Sequence, residues 1–176
     1  QAPYYAQSLH RQFRSALLML LDAMHKVPTK LWKQPMWLVQ GRNPVFSQPW
    51  YVIYHALFFA DLYLETSDIG YTPPAPFNLD ELDPAGKPPA KVLNQHELEQ
   101  FIEHILAKAD SILPNLDEVS AQKVAAFSWG FSLPYHELVI DNIRHIQEHA
   151  AQINMFIGQG QAITQHWVSG QSDLQE

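Results

Sequence analysis

The chain has 176 residues, of which 47% are apolar and 16% charged, a globular rather than a disordered composition with length enough for a sizeable core. Its formal charge is −7 and it carries no basic run, which argues against sequence-tolerant nucleic-acid binding; no apolar run approaches the ~20 residues of a membrane span. It has no Cys, which excludes disulfides, zinc fingers, Fe–S clusters and thiol catalysis by the protein itself, so any transition metal must be held by imidazole and carboxylate.

Proline placement outlines the helices. The longest stretches free of the 13 prolines are 4–27, 50–72, 90–113 and 135–176, and proline is excluded from helix interiors but tolerated in a first turn. The first expected helix covers residues 4–26, where Leu9, Phe13, Leu17, Leu20 and Met24 recur at spacings of three and four. Pro28 stops it. Residues 28–49 form a connection whose Trp32, Trp37 and Phe46 are expected to pack over the body of the domain. The second helix is expected over 49–66, with Ser47 as cap and Pro49 in the first turn. It is apolar nearly all round, which marks a central, buried helix.

Residues 67–93 hold six prolines and Gly86, and so read as a long irregular insertion of the kind that is often functional. The third helix, 94–113, opens on Asn94-Gln-His-Glu97, a variant of the capping box, and presents Leu98, Phe101, Ile102, Ile105, Ala109 and Ile112 on one face. Ser132 and Pro134 announce the fourth, 134–158, striped by Leu138, Ile143, Ile146, Ala150, Ile153 and Ile157. In the polar tail, 159–176, Ile163, Trp167 and Val168 stand out, and Trp167 is expected to dock the tail onto the helices. The expectation is an all-α, four-helix-bundle domain spanning 1–176, without strands and with long Pro-rich connections.

Three of the nine His share a chemical reading. His145 and His149 stand at i and i+4, within ~40° of one helix face and ~6 Å apart along the axis, the reach of two ligands to one ion. Such pairs also arise on solvated faces. His55 sits in the most apolar helix, flanked by Tyr54, Ala56, Leu57, Phe58 and Phe59. There it needs either a hydrogen bond or a metal, since an unpaired buried polar group costs about 1–3 kcal/mol. Together the three would make a metal site with positions left open, the arrangement of catalytic rather than closed structural sites.

Several neighbours carry weaker readings. Asp141 shares the face of His145 and His149 and reads as a fourth ligand, as an acid orienting one imidazole, or as a first-turn acid favoured by the helix dipole. Tyr51 and Tyr54 lie within a turn of His55, as pocket lining or as core. Glu148 falls between the two His of the pair and reads as exposed, and Asp61 reads as a structural hydrogen-bonding group. His10, His25, His96, His104, His136 and His166 have no partner at ligand spacing. The H-E-x-x-H pattern, a P-loop, G-x-S-x-G and G-x-G-x-x-G are absent.

The run Arg144-His145-Ile-Gln-Glu148-His149-Ala150-Ala151-Gln152 resembles the N-H-x-x-H-H-R-G-Q pattern of the DinB/YfiT-like metalloenzymes in its H-x-x-x-H spacing and in its Gln. Glu148 replaces the middle His, and Ala150-Ala151 replaces Arg-Gly. His55 matches that family's ligand on the second helix by its place in an apolar helix. The resemblance covers the four helices, roughly 4–158, but not the 67–93 insertion. It implies a divalent metal (Zn, Ni, Fe or Mn) held by His55, His145 and His149, and a metal-dependent hydrolase or thiol-dependent transferase acting on a small molecule. The competing readings are a non-catalytic metal- or ligand-binding bundle and a homodimeric interaction protein without metal. No signal pattern opens the chain, so a cytoplasmic location is expected. It begins at Gln1 without Met, which leaves a processed leader open.

Overall fold

The computed structural model describes residues 4–38, 40–160 and 167–170, so His166 and Ile163 lie outside the described residues. The chain is mostly helical. Four long helices, α1 (Tyr4–His25), α2 (Pro49–Leu62), α3 (Gln95–Ile112) and α5 (Tyr135–Gly158), fall in the four proline-poor stretches. The α1 helix packs on α3 and α5, and α2 packs on the same two, while α1 and α2 barely meet. One cluster of buried side chains runs through all four, with Phe13, Leu17, Trp50, Phe58, Phe101, Leu138 and Ile153 among its members. No described helix is long and apolar enough to cross a membrane.

The connection before α5 departs from the strand-free expectation. It forms a short helix, α4 (Glu118–Gln122), and two antiparallel strands, β1 (Val124–Ala126) and β2 (Ser132–Pro134), with Ala125 opposite Leu133. Three-residue strands show too few alternations for a period-two pattern to be visible in the sequence. Ser132 therefore belongs to a ladder and caps no helix; Pro134 precedes α5 directly. Ser47 is likewise not the cap of α2: Gln48 holds that position without a side-chain bond, and the Ser47 hydroxyl donates to the Pro44 carbonyl at 3.1 Å. The Asn94 capping box is present as expected, with Asn94 Oδ1 accepting from the Glu97 amide at 2.9 Å and the Glu97 carboxylate accepting from the Asn94 amide at 2.9 Å.

The α2 helix is shorter than its apolar run, ending at Leu62 rather than residue 66, and every residue in it except His55 and Phe59 is buried. Those two, at i and i+4, share one side of an otherwise enclosed helix. Two long connections cover that side. In the first, Trp32 is buried and its indole N–H donates to the Leu93 carbonyl at 2.9 Å, while Phe46 packs edge-on against Tyr51 at 5.0 Å between centroids. In the second, Phe77 stacks on Phe101 at 4.3 Å and on Tyr54 at 6.1 Å, pinning residues 67–93 to α3 and α2. The Tyr71 hydroxyl adds a 2.7 Å bond to the buried Asp61, which also accepts from Lys108 at 3.0 Å. Asp61 is thus the structural group expected. Trp167 does not dock the tail: it is 72% exposed, and the contact to α1 runs instead from the Gln12 amide to the Ser169 carbonyl at 2.9 Å.

Candidate metal centre

His55 projects from α2, and His145 and His149 from consecutive turns of α5, into the space between the two helices. Their Nε2 atoms converge: His145 lies 3.3 Å from His55 and 3.0 Å from His149, and one ligand atom from each of the three falls within 4.8 Å of the others. Two nitrogens bound at about 2.0–2.1 Å to one zinc stand roughly 3.3 Å apart at a tetrahedral angle and roughly 2.9 Å apart at a right angle. The two shorter spacings are therefore those of nitrogens that share one ion, and the third pair stays within the 4.8 Å cluster.

Two of the three rings are oriented from behind. His55 Nδ1 donates to Glu81 Oε2 at 2.6 Å, and His149 Nδ1 donates to Gln152 Oε1 at 2.8 Å. A proton held on Nδ1 by an acceptor leaves Nε2 with its lone pair free, the form in which imidazole ligates a metal. The Glu81 side chain is only 5% exposed and comes from a short 3-10 turn, Asp80–Leu82, inside the Pro-rich segment. His145 is different: its Nδ1 is buried and has no partner. Burial first, and then the neighbouring His149 and His55, push the His145 imidazole down to about 3 from its ordinary 6.5. Burial likewise pulls His149 below the ordinary value, with His55 adding to it and the Gln152 bond opposing. Both rings on α5 are therefore neutral at physiological pH, as ligands must be.

The walls are aromatic. Phe59 lies 5.0 Å from His55 and 6.0 Å from His145 between ring centroids, and Tyr51 stacks on His55 at 6.2 Å. Burial and the adjacent Glu81 carboxylate raise the Tyr51 phenol above its ordinary value, so it stays protonated. His55 and His149 open on a cleft of about 660 Å³, a usual size for a small-molecule site, whose other walls include Trp37, Arg42, Phe46 and Gly86 from the two long connections.

The remaining candidates sort cleanly. Asp141 is neither ligand nor orienting acid: it faces Arg144 at 3.5 Å, and the only free Nδ1 of the site, that of His145, lacks a partner. Glu148 is exposed. Tyr51 lines the cleft, whereas Tyr54 is core, with its hydroxyl buried and unpartnered. Away from the cluster, His10 meets Asp110 at 2.7 Å, His25 meets Glu99 at 3.2 Å, His104 meets Asp61 at 3.3 Å, and His136 Nδ1 donates to the Ala121 carbonyl at 2.9 Å. Sequence reasoning missed Glu81. Its only signal was an acidic trio, Asp80, Glu81 and Asp83, in a long segment otherwise rich in proline. No protein-family model, no curated protein and no solved structure matches this chain.

The depressed His145 value fixes a pH dependence. Below 6.5 the unfolded chain takes up a proton at this residue that the folded, metal-free chain refuses, so stability is full above 6.5 and falls as pH drops toward 3. The denaturant midpoint of metal-free protein is expected to fall more steeply with acidification in the wild type than in His145→Phe; parallel slopes would contradict the burial argument. Removal of the acceptor behind His55 by Glu81→Ala is expected to weaken metal binding about 10- to 100-fold in a competition titration against a chelating dye, with a smaller loss in Glu81→Gln, which keeps an acceptor oxygen. Unchanged affinity in Glu81→Ala would exclude an orienting role.

Proposed function

We propose that this chain is a metal-dependent enzyme, a hydrolase or thiol-dependent transferase acting on a small molecule, and a divergent four-helix bundle of the DinB/YfiT-like kind. The observation that carries the reading is the convergence of three Nε2 atoms beside an open cleft, two of them with their Nδ1 protons held by Glu81 and Gln152. The four-sided packing of the long helices, with α1 and α2 on one diagonal, supports the bundle. The H-x-x-x-H pair on the last long helix and the single His on the second support the family.

His55, His145 and His149 would hold the ion, and a divalent cation on three imidazoles would supply the acidification of a water or thiol, or the polarisation of a carbonyl. The protein's own residues do the rest. Glu81 keeps the His55 ring turned toward the cluster and offsets one positive charge. Gln152 does the same for His149 without charge. Phe59 and Tyr51 shield the imidazoles from bulk water, which strengthens every electrostatic contact inside. The cleft between residues 28–49 and 67–93 admits the substrate. Three protein ligands are the number that leaves room for substrate or water on the ion.

Turnover of an ester, amide and thiol-transfer substrate panel tests the reading, with metal-stripped protein reloaded separately with Zn, Ni, Fe and Mn. At least one reaction is expected to appear on reloading and to be lost at least 100-fold in His55→Ala/His145→Ala. Metal-independent turnover, or turnover equal in wild type and double variant, would overturn it.

A further inference from the structure

The cleft beside the imidazoles has a second chemical pole. Among the described residues lining it, Arg42 is the sole charged side chain. Its position is built locally: Gly41 turns the chain at φ 75°, a conformation that favours glycine, and Asn43 then caps the 3-10 turn Pro44–Ser47 by accepting from the Val45 amide at 3.0 Å. Arg42 is held between turn and cap. Among the described residues it has no ion-pair or hydrogen-bond partner, although the chain carries 18 acidic residues against 11 basic ones. Other arginines are engaged: Arg14 pairs with Asp110 at 2.6 Å and Arg144 with Asp141 at 3.5 Å. The same cleft wall carries Trp37, Phe46 and Tyr51, three flat rings.

We infer that this cleft binds a small organic carboxylate, its anionic end on Arg42, its apolar or aromatic body against Trp37, Phe46 and Tyr51, and its reacting end toward His55 and His149. A guanidinium matches a carboxylate with two parallel hydrogen bonds, and aromatic walls hold a flat body at little entropic cost. The charge distribution favours the same class. No carboxylate is among the described residues lining the cleft, and the buried Glu81 is occupied with His55. A divalent ion would make the cleft more positive still. The orientation of the reacting end rests on the metal-dependent reading above, but recognition of the carboxylate by Arg42 does not.

Calorimetric titration with 3-phenylpropionate and its neutral counterpart 3-phenylpropanamide tests this, on zinc-loaded and metal-free wild type and on Arg42→Gln and Arg42→Lys. Arg42 is exposed and makes no bond to the described residues, so the variants are expected to keep the fold and whatever zinc uptake the wild type shows. The expected result is a preference of about tenfold or more for the carboxylate in the wild type, lost in Arg42→Gln and partly kept in Arg42→Lys. Should the wild type fail to take up zinc yet keep an Arg42-dependent preference, the metal reading falls and this inference stands. Should it take up zinc but show no preference, or one that Arg42→Gln leaves intact, this inference falls and the metal reading stands.

Discussion

With Phe59, His55 forms the one side of α2 that the core leaves partly open, and the partner His55 takes there organises the rest of the molecule. Its Nδ1 proton goes to Glu81, a carboxylate that is itself buried and needs a donor as much as the imidazole needs an acceptor. That one bond ties the Pro-rich segment 67–93 to α2 and turns the His55 Nε2 lone pair toward α5. The long irregular segment is therefore part of the site and not an appendage to it.

The same constraint explains the shape of the cleft. The apolar surface of α2 is consumed by the core everywhere but at His55 and Phe59, so α2 can offer chemistry in only one direction. The α5 helix meets it there with an i, i+4 pair, and the two long connections close over the top. Phe77 against Phe101 anchors one, and Trp32 bonded to the Leu93 carbonyl anchors the other to the end of the first. Neither anchor touches the imidazoles. Each fixes a loop that serves the site: Glu81 behind His55 and Gly86 on the cleft from one side, Trp37 and Arg42 on the cleft from the other.

How much of this could be read from the sequence depended on periodicity. The long helices announce themselves because a 3.6-residue stripe repeats several times between prolines, and the i, i+4 spacing of His145 and His149 is a local fact that helix geometry turns into a shared face. His55 was legible because an imidazole in so apolar a run demands a partner. Glu81 was not, because its partnership spans 26 residues of irregular chain and no spacing rule connects a 3-10 turn to a helix. The β1–β2 ladder was hidden by its shortness. Asp141 shows the converse error: it has the right spacing, but it pairs with Arg144 three residues on, while the His145 Nδ1 stays buried and unpaired.

The proposed centre requires three nitrogens, from His55, His145 and His149, to share one ion. Its most direct test is the metal content of protein purified without an affinity tag that binds metal, measured by mass spectrometry for wild type and for His55→Ala/His145→Ala/His149→Ala. The account predicts close to one divalent transition metal per chain in the first and none in the second. Equal and negligible metal in both, after exposure to each candidate ion, would contradict it.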